Sequence, residues 1–182
     1  MKSLFNPRFA TISGMILLAA LSRLLPHPPN FAPITAIALF GGAYFSDKRL
    51  AFLIPILAML LSDLIIGFHT TMPFVYGCFA LITLIGFRLK ENKSAGRIAL
   101  ASVAGSTLFF VITNFAVWAL SSSYPYSISG LIACYAAAVP FYDYTPFSSM
   151  LLNTFMGDVF FSAVFFGAFA IAEQKIPALI RK

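Results

Sequence analysis

Six apolar stretches, separated by short polar or proline-bearing breaks, organise this 182-residue chain. They cover about 9–25, 32–45, 50–67, 73–87, 98–120 and 147–172. Runs of this length and apolarity predict helices, and about 20 apolar residues suffice to cross a bilayer. The second stretch is shorter and rich in small residues; at ~1.5 Å per residue it covers only about 20 Å of a ~30 Å core. It therefore needs help from its flanks or shelter among its neighbours. Before it, Pro26-His27-Pro28-Pro29 breaks the helix, because proline cannot donate to the helical ladder and disfavours helix at the preceding residue. Pro55 predicts a kink in the third stretch. The connection at 121–146 is the longest. Its apolar piece at 128–139 is too short to span and reads as re-entrant or interfacial. Long structured connections in compact proteins are more often functional than idle, and this one is expected to cap a site.

The polar breaks give the pattern a direction. In order they carry Lys2 and Arg8, His27, Lys48 and Arg49, His69, Arg88 with Lys90, Lys93 and Arg97, Asp143, and Lys175 with Arg181 and Lys182. Basic and non-basic breaks alternate throughout, and Arg23 is the sole cation on the poor side. Short basic connections stay in the cytoplasm. The expected fold is thus all-α: one integral-membrane domain over 1–182, with six transmembrane helices and both termini cytoplasmic. The expected location is the inner membrane, multi-pass. Lys2 and Arg8 ahead of an apolar run also resemble a signal peptide, with Ala19-Ala20 as a weak cleavage site. Removal would turn the Arg88–Arg97 connection outward against the charge rule, so the first span is expected to be retained.

Composition excludes several classes. Apolar residues make up 60% of the chain and charged residues 10%, with a mean hydropathy of +0.90; a soluble globule holds about 45–50% and about 25%. The net charge of +6 forms a rim, which implies membrane lipid rather than nucleic acid as partner. Cys78 and Cys134 make no disulfide framework and lack metal-ligand spacing. No phosphate-binding loop, His-Glu-x-x-His or Gly-x-Ser-x-Gly occurs, and no enzyme is expected.

Polar groups in lipid are expensive and usually face a bundle interior or a cavity. Asp63, Cys78, Asn114 and Asn153 fall in the outer half of their stretches, and Asp158 falls near the midplane. Each also has a plainer reading: Asp63 tying down a helix end, Asn114 with Thr113 bonding between helices, Asp158 paired as glue, Cys78 as a small buried hydrophobe. Gly157 would let another backbone come close to Asp158. His27 sits in a loop, where a neutral imidazole can take a metal or a proton, or simply be solvated. Trp118 and Tyr135, with Tyr124, Tyr126, Tyr142 and Tyr144, crowd the outer edge, either as an interfacial belt or as a platform for a flat ligand.

Four blocks carry a resemblance: Arg23-Leu-Leu-Pro-His-Pro-Pro-Asn-Phe31, Leu61-Ser-Asp-Leu64, Phe74-Val-Tyr-Gly-Cys-Phe79 and Gly157-Asp158. They resemble a family of uncharacterised bacterial membrane proteins related to the substrate-binding S components of energy-coupling-factor vitamin transporters. That resemblance adds Asn30 and Tyr76 to the candidate binding residues. It implies uptake of a small vitamin-like molecule bound in the outer half of the bundle. It also implies either a transmembrane coupling subunit with its ATPases or uptake by the chain alone. In S components an Ala-x-x-x-Ala pattern in the first span docks on the coupling subunit; here Ala32-Pro-Ile-Thr-Ala36 matches it, displaced to the second stretch. Solitary relatives take up cobalamin through a cysteine on cobalt, which makes Cys78 the expected cobalt ligand and cobalamin the leading substrate, with no resident cofactor. The bundle is expected to gather Asp63, Cys78, Asn114 and Asn153 around one cavity. The alternatives are a scaffolding protein without a ligand and a membrane-embedded enzyme using Asp63, Asp158 and the histidines.

Overall fold

The structure, a computed structural model, describes residues 6–28, 30–139 and 150–180. Of the positions singled out above, Lys2, Pro29, Tyr142, Asp143, Tyr144, Arg181 and Lys182 lie outside the described residues, as does the start of the sixth stretch. Seven α-helices follow one another among the described residues: α1 (Pro7–Ser22), α2 (Ile34–Tyr44), α3 (Lys48–Ile66), α4 (Met72–Arg88), α5 (Ala95–Leu120), α6 (Ile128–Ala137) and α7 (Met150–Lys175), with a 3₁₀ turn at Pro177–Leu179. No strand occurs among these residues. Helices α3, α5 and α7 are long and apolar enough to cross a membrane, while α1, α2, α4 and α6 are shorter apolar helices.

Local chemistry sets the helix ends. Asn6 caps α1, its side-chain oxygen accepting from the Phe9 N–H at 2.8 Å, and Pro7 occupies the first turn, where a missing N–H costs nothing. Asp47 caps α3 through the Arg49 N–H at 2.7 Å, and Gly67 closes that helix at φ +105, a region that disfavours side chains. Ser127 caps α6. Helix α2 has no cap of its own, because Pro33 stands at that position.

Helix α2 is the centre of the bundle. It touches α1, α3, α4, α5 and α7, and every residue from Thr35 to Tyr44 is buried. Of the two outcomes open to the short second stretch, shelter among neighbours is the one realised. Glycines make this possible. A Cβ on Gly42 would lie 2.4 Å from the Thr83 carbonyl oxygen, and one on Gly86 would lie 2.6 Å from that of Leu39, so α2 and α4 meet backbone to backbone. At Gly105, α5 makes room for Thr35 in the same way, with Cγ2 only 2.5 Å from where a Cβ would stand.

The two ends of the bundle differ chemically. At one end Arg8, opening α1, bonds Glu173 of α7 and the Leu179 carbonyl, and lies over the rings of Tyr44 and Phe169 at 5.7 and 5.2 Å. Lys93, between α4 and α5, lies 5.1 Å from the same Tyr44 ring. The start of α1, the end of α2, the α4–α5 connection and the end of α7 therefore share one end. At the other end meet the close of α1, the close of α3 and the opening of α4, joined by the Arg23–Asp63–Tyr76 cluster described next.

Candidate functional site

Asp63 stands in the last turn of α3 with its side chain 3% exposed. Its Oδ1 accepts from Arg23 Nη1 at 2.7 Å, and its Oδ2 accepts from the Tyr76 hydroxyl of α4 at 2.8 Å. Arg23 Nη1 also donates to Ser62 Oγ at 2.6 Å and lies 3.4 Å from Met59 Sδ. The cation that breaks the alternation of basic and non-basic breaks is thus the partner of Asp63. The Asp63 side chain joins α1, α3 and α4, which goes beyond fastening its own helix end.

Asp158 lies on α7 and is buried. Its Oδ1 accepts from the Thr35 N–H at 3.3 Å, and Ser106 Oγ of α5 stands 2.6 Å from its Oδ2. Thr35 is in the first turn of α2, where backbone N–H groups have no helical partner and the helix dipole favours an anion. Asp158 therefore provides from α7 the cap that Pro33 cannot. Ser102 and Ser162 continue the α5–α7 seam, Oγ to Oγ at 2.6 Å.

The position of this cap explains the space above it. Asp158 is eight residues into α7, about 12 Å from Met150 at ~1.5 Å per residue. Gly105, facing Thr35, is fifteen residues short of Leu120, about 22 Å along α5. The central helix thus begins well below the ends of its neighbours α5 and α7, and the chain at 27–28 and 30–33, leading into it, is not helical. Asn30 makes the turn at φ 60, a left-handed conformation that asparagine tolerates better than most residues. Phe31 then packs against Phe160 and Phe161, with ring centroids at 5.8 and 5.6 Å, and its backbone passes Gly157 where a Cβ would come within 3.2 Å of Phe31 Cα. The close backbone approach expected at Gly157 is this one.

Between that segment and the surrounding helices lies an open cavity of about 260 Å³. Arg23, His27, Asn30, Thr35, Thr154 and Asp158 supply its polar wall, and Ala32, Ile34, Ile66 and Phe109 its apolar wall. Of the ten residues singled out in the sequence, His27, Asn30 and Asp158 line it, and Asp63 and Tyr76 stand behind Arg23. The other five lie elsewhere. Cys78 is fully buried in the apolar core with Phe79 and Ile82, away from the cavity wall. Asn153 is buried, and its neighbour Thr154 is the one that faces the cavity. Asn114 donates to the Phe110 carbonyl at 2.8 Å, and Thr113 to that of Phe109 at 2.7 Å, so these bonds stay within α5 instead of crossing between helices. Trp118 Nε1 donates to the Pro125 carbonyl at 2.9 Å, and the Tyr135 hydroxyl donates to that of Val111 at 2.6 Å. These aromatics fasten α6 and its approach onto the end of α5. Of the set expected to gather around one cavity, Asp63, Cys78, Asn114 and Asn153, none is on the wall of this cavity over the start of α2.

Sequence reasoning passed over Arg23, Thr35 and Thr154 as site residues. Arg23 carried a signal, as the one cation out of place, whereas a lone threonine on an apolar helix carries none. Ala32 and Ala36 are buried, at 9% and 0% exposure, so the Ala-x-x-x-Ala pattern is spent inside the bundle. Among the described residues no group of three His, Cys, Asp or Glu side chains is placed to hold a metal ion. Cys134 is buried against α5, its Sγ 3.4 Å from the Asn114 carbonyl, and burial raises its thiol pKa. No curated protein and no solved structure matches the chain. Over residues 3–179 it matches the profile of a family of unknown function, DUF6580, and it belongs to that family.

Proposed function

We propose that this is a six-span membrane protein that takes up a small molecule from outside, binding it in the cavity over the start of α2. The observation that carries the reading is the non-helical backbone at 27–28 and 30–33 over the start of α2, lining a cavity with Arg23 and Asp158 on its wall. Inside a bilayer, non-helical backbone is tolerated only where it is buried in protein or lines a water-filled space. Ionisable groups there mark ligand or ion pathways by default. Topology supports the outer side: the basic breaks gather with Arg8 and Lys93 at the opposite end, which the positive-inside rule assigns to the cytoplasm. A solid bundle would have favoured a scaffold.

At about 260 Å³ the cavity lies just below the ~300–1,000 Å³ of drug-sized sites, and Cys78 is not on its wall. A compact ligand is therefore favoured over a corrinoid. The test is a thermal-shift screen of the purified full-length chain against vitamins, amino acids and cobalamin. A true ligand at a hundredfold excess over its Kd stabilises by about 2.7 kcal/mol. Stabilisation by a compact ligand that is lost in Thr154→Val is the expected result. Stabilisation by cobalamin that Cys78→Ser removes would restore cobalt ligation instead, and a panel without any binder would contradict the uptake reading.

A further inference from the structure

Resting on the cavity being a ligand site, we propose that its ligand is a compact, partly apolar ammonium compound that also carries an acceptor group, as an amino acid does. Both charged side chains on the wall are held from behind with bonding capacity left over. The bonds of Arg23 among the described residues all run through Nη1, to Asp63, Ser62 and Met59. A guanidinium has five N–H donors in a fixed fork, so Nε and Nη2 remain for a carboxylate or carbonyl on the ligand. Asp158 is held by the Thr35 N–H and by Ser106, which use two of the roughly four acceptor positions of a carboxylate. The rest can take ligand N–H groups.

Charge decides which end of the ligand matters more. Arg23 is already balanced by Asp63 at 2.7 Å, whereas among the described residues no cation pairs with Asp158. The charge left for a ligand to balance is that of the Asp158 carboxylate, and a bound ammonium and an ionised carboxylate favour each other. The charged and titratable groups around the cavity are Arg23 with Asp63 and Tyr76 behind it, and His27 at the mouth; α2 and α5 present only hydroxyl and N–H groups to Asp158. In the same cavity, Ile34, Ile66 and Phe109 supply an apolar wall for the body of the ligand.

Three probes with the same apolar body separate these features: phenylalanine, with both charged groups; phenethylamine, with the ammonium alone; and 3-phenylpropionate, with the carboxylate alone. Calorimetric titration of the full chain in nanodiscs is expected to rank them in that order, with 3-phenylpropionate at least about tenfold weaker than phenylalanine, a difference of ~1.4 kcal/mol. The ranking needs no variant. Asp158→Asn keeps an acceptor for Thr35 and gains a donor toward Ser106, so the cap survives, and it is expected to weaken phenylalanine roughly thirtyfold. Arg23→Lys keeps the charge beside Asp63 but loses the fork, and should bring phenylalanine down to the level of phenethylamine. Equal binding of 3-phenylpropionate and phenylalanine, or an Asp158→Asn variant that binds like wild type, overturns the proposal. If no probe binds but a vitamin does, the ligand class is wrong and the site stands. If neither the probes nor the wider panel binds, both fall.

Discussion

Arg23 serves the fold and the cavity at once. It neutralises the buried Asp63 carboxylate, and it lines the open space together with His27 and Asn30. Removing it leaves a buried charge without a partner, which typically costs about 3–5 kcal/mol. Arg23→Ala is accordingly expected to lower unfolding stability in detergent by several kcal/mol, and Arg23→Ala with Asp63→Ala to recover most of that loss. A double variant as unstable as the single one would contradict the pairing. At this scale the sequence is legible only where a residue breaks a pattern. Arg23 and Asp158 each stand out, one as a misplaced cation and the other as a midplane acid. Cys78 stood out for its chemistry, yet its environment is apolar core, and residue type alone cannot tell a buried thiol from a ligating one. Asn153 and Thr154 differ by one position on the same helix, and about 100° of rotation decides which of them meets the cavity.

Among the elements, α2 gives the fold its form. Its shortness, its missing cap and its run of small residues are three views of one fact: it is a central helix that starts deep. Its small residues are the requirement of close backbone contact, and substitution tests this directly. Gly42→Ala places a Cβ 2.4 Å from the Thr83 carbonyl and should cost about 1–3 kcal/mol, the usual range for overpacking. Gly77→Ala meets nothing within 4 Å and should be neutral or stabilising by up to ~1 kcal/mol. Thermal unfolding of both variants checks the contrast, and equal behaviour would contradict the α2–α4 contact. Apolarity made the helices legible, with bounds shifted by a few residues. The partners of α2 were not legible, because a helix apolar on every side shows no face. The piece after α5 was readable as short and non-spanning, and its docking through Trp118 and Tyr135 required coordinates.

The whole molecule is a bundle with a fastened basic end and a hollow opposite end. The alternation of charge along the chain implied this polarity, while the hollow arises from where α2 begins, a tertiary fact that hydropathy does not encode. The proposed orientation predicts that a cysteine at Ser122 reacts with a membrane-impermeant maleimide in intact cells, and that one at Asn92 reacts only after permeabilisation. The reverse pattern would invert the topology. The most direct test of an outward-opening cavity is the same labelling at its wall. Ile34→Cys in a background lacking Cys78 and Cys134 places a thiol on the cavity wall at a half-buried position. We predict that it is labelled from outside in intact cells, while Cys78 restored alone, at 0% exposure, is not. An Ile34→Cys thiol that stays unlabelled from outside, or reacts only once the cytoplasmic face is exposed, would contradict the account.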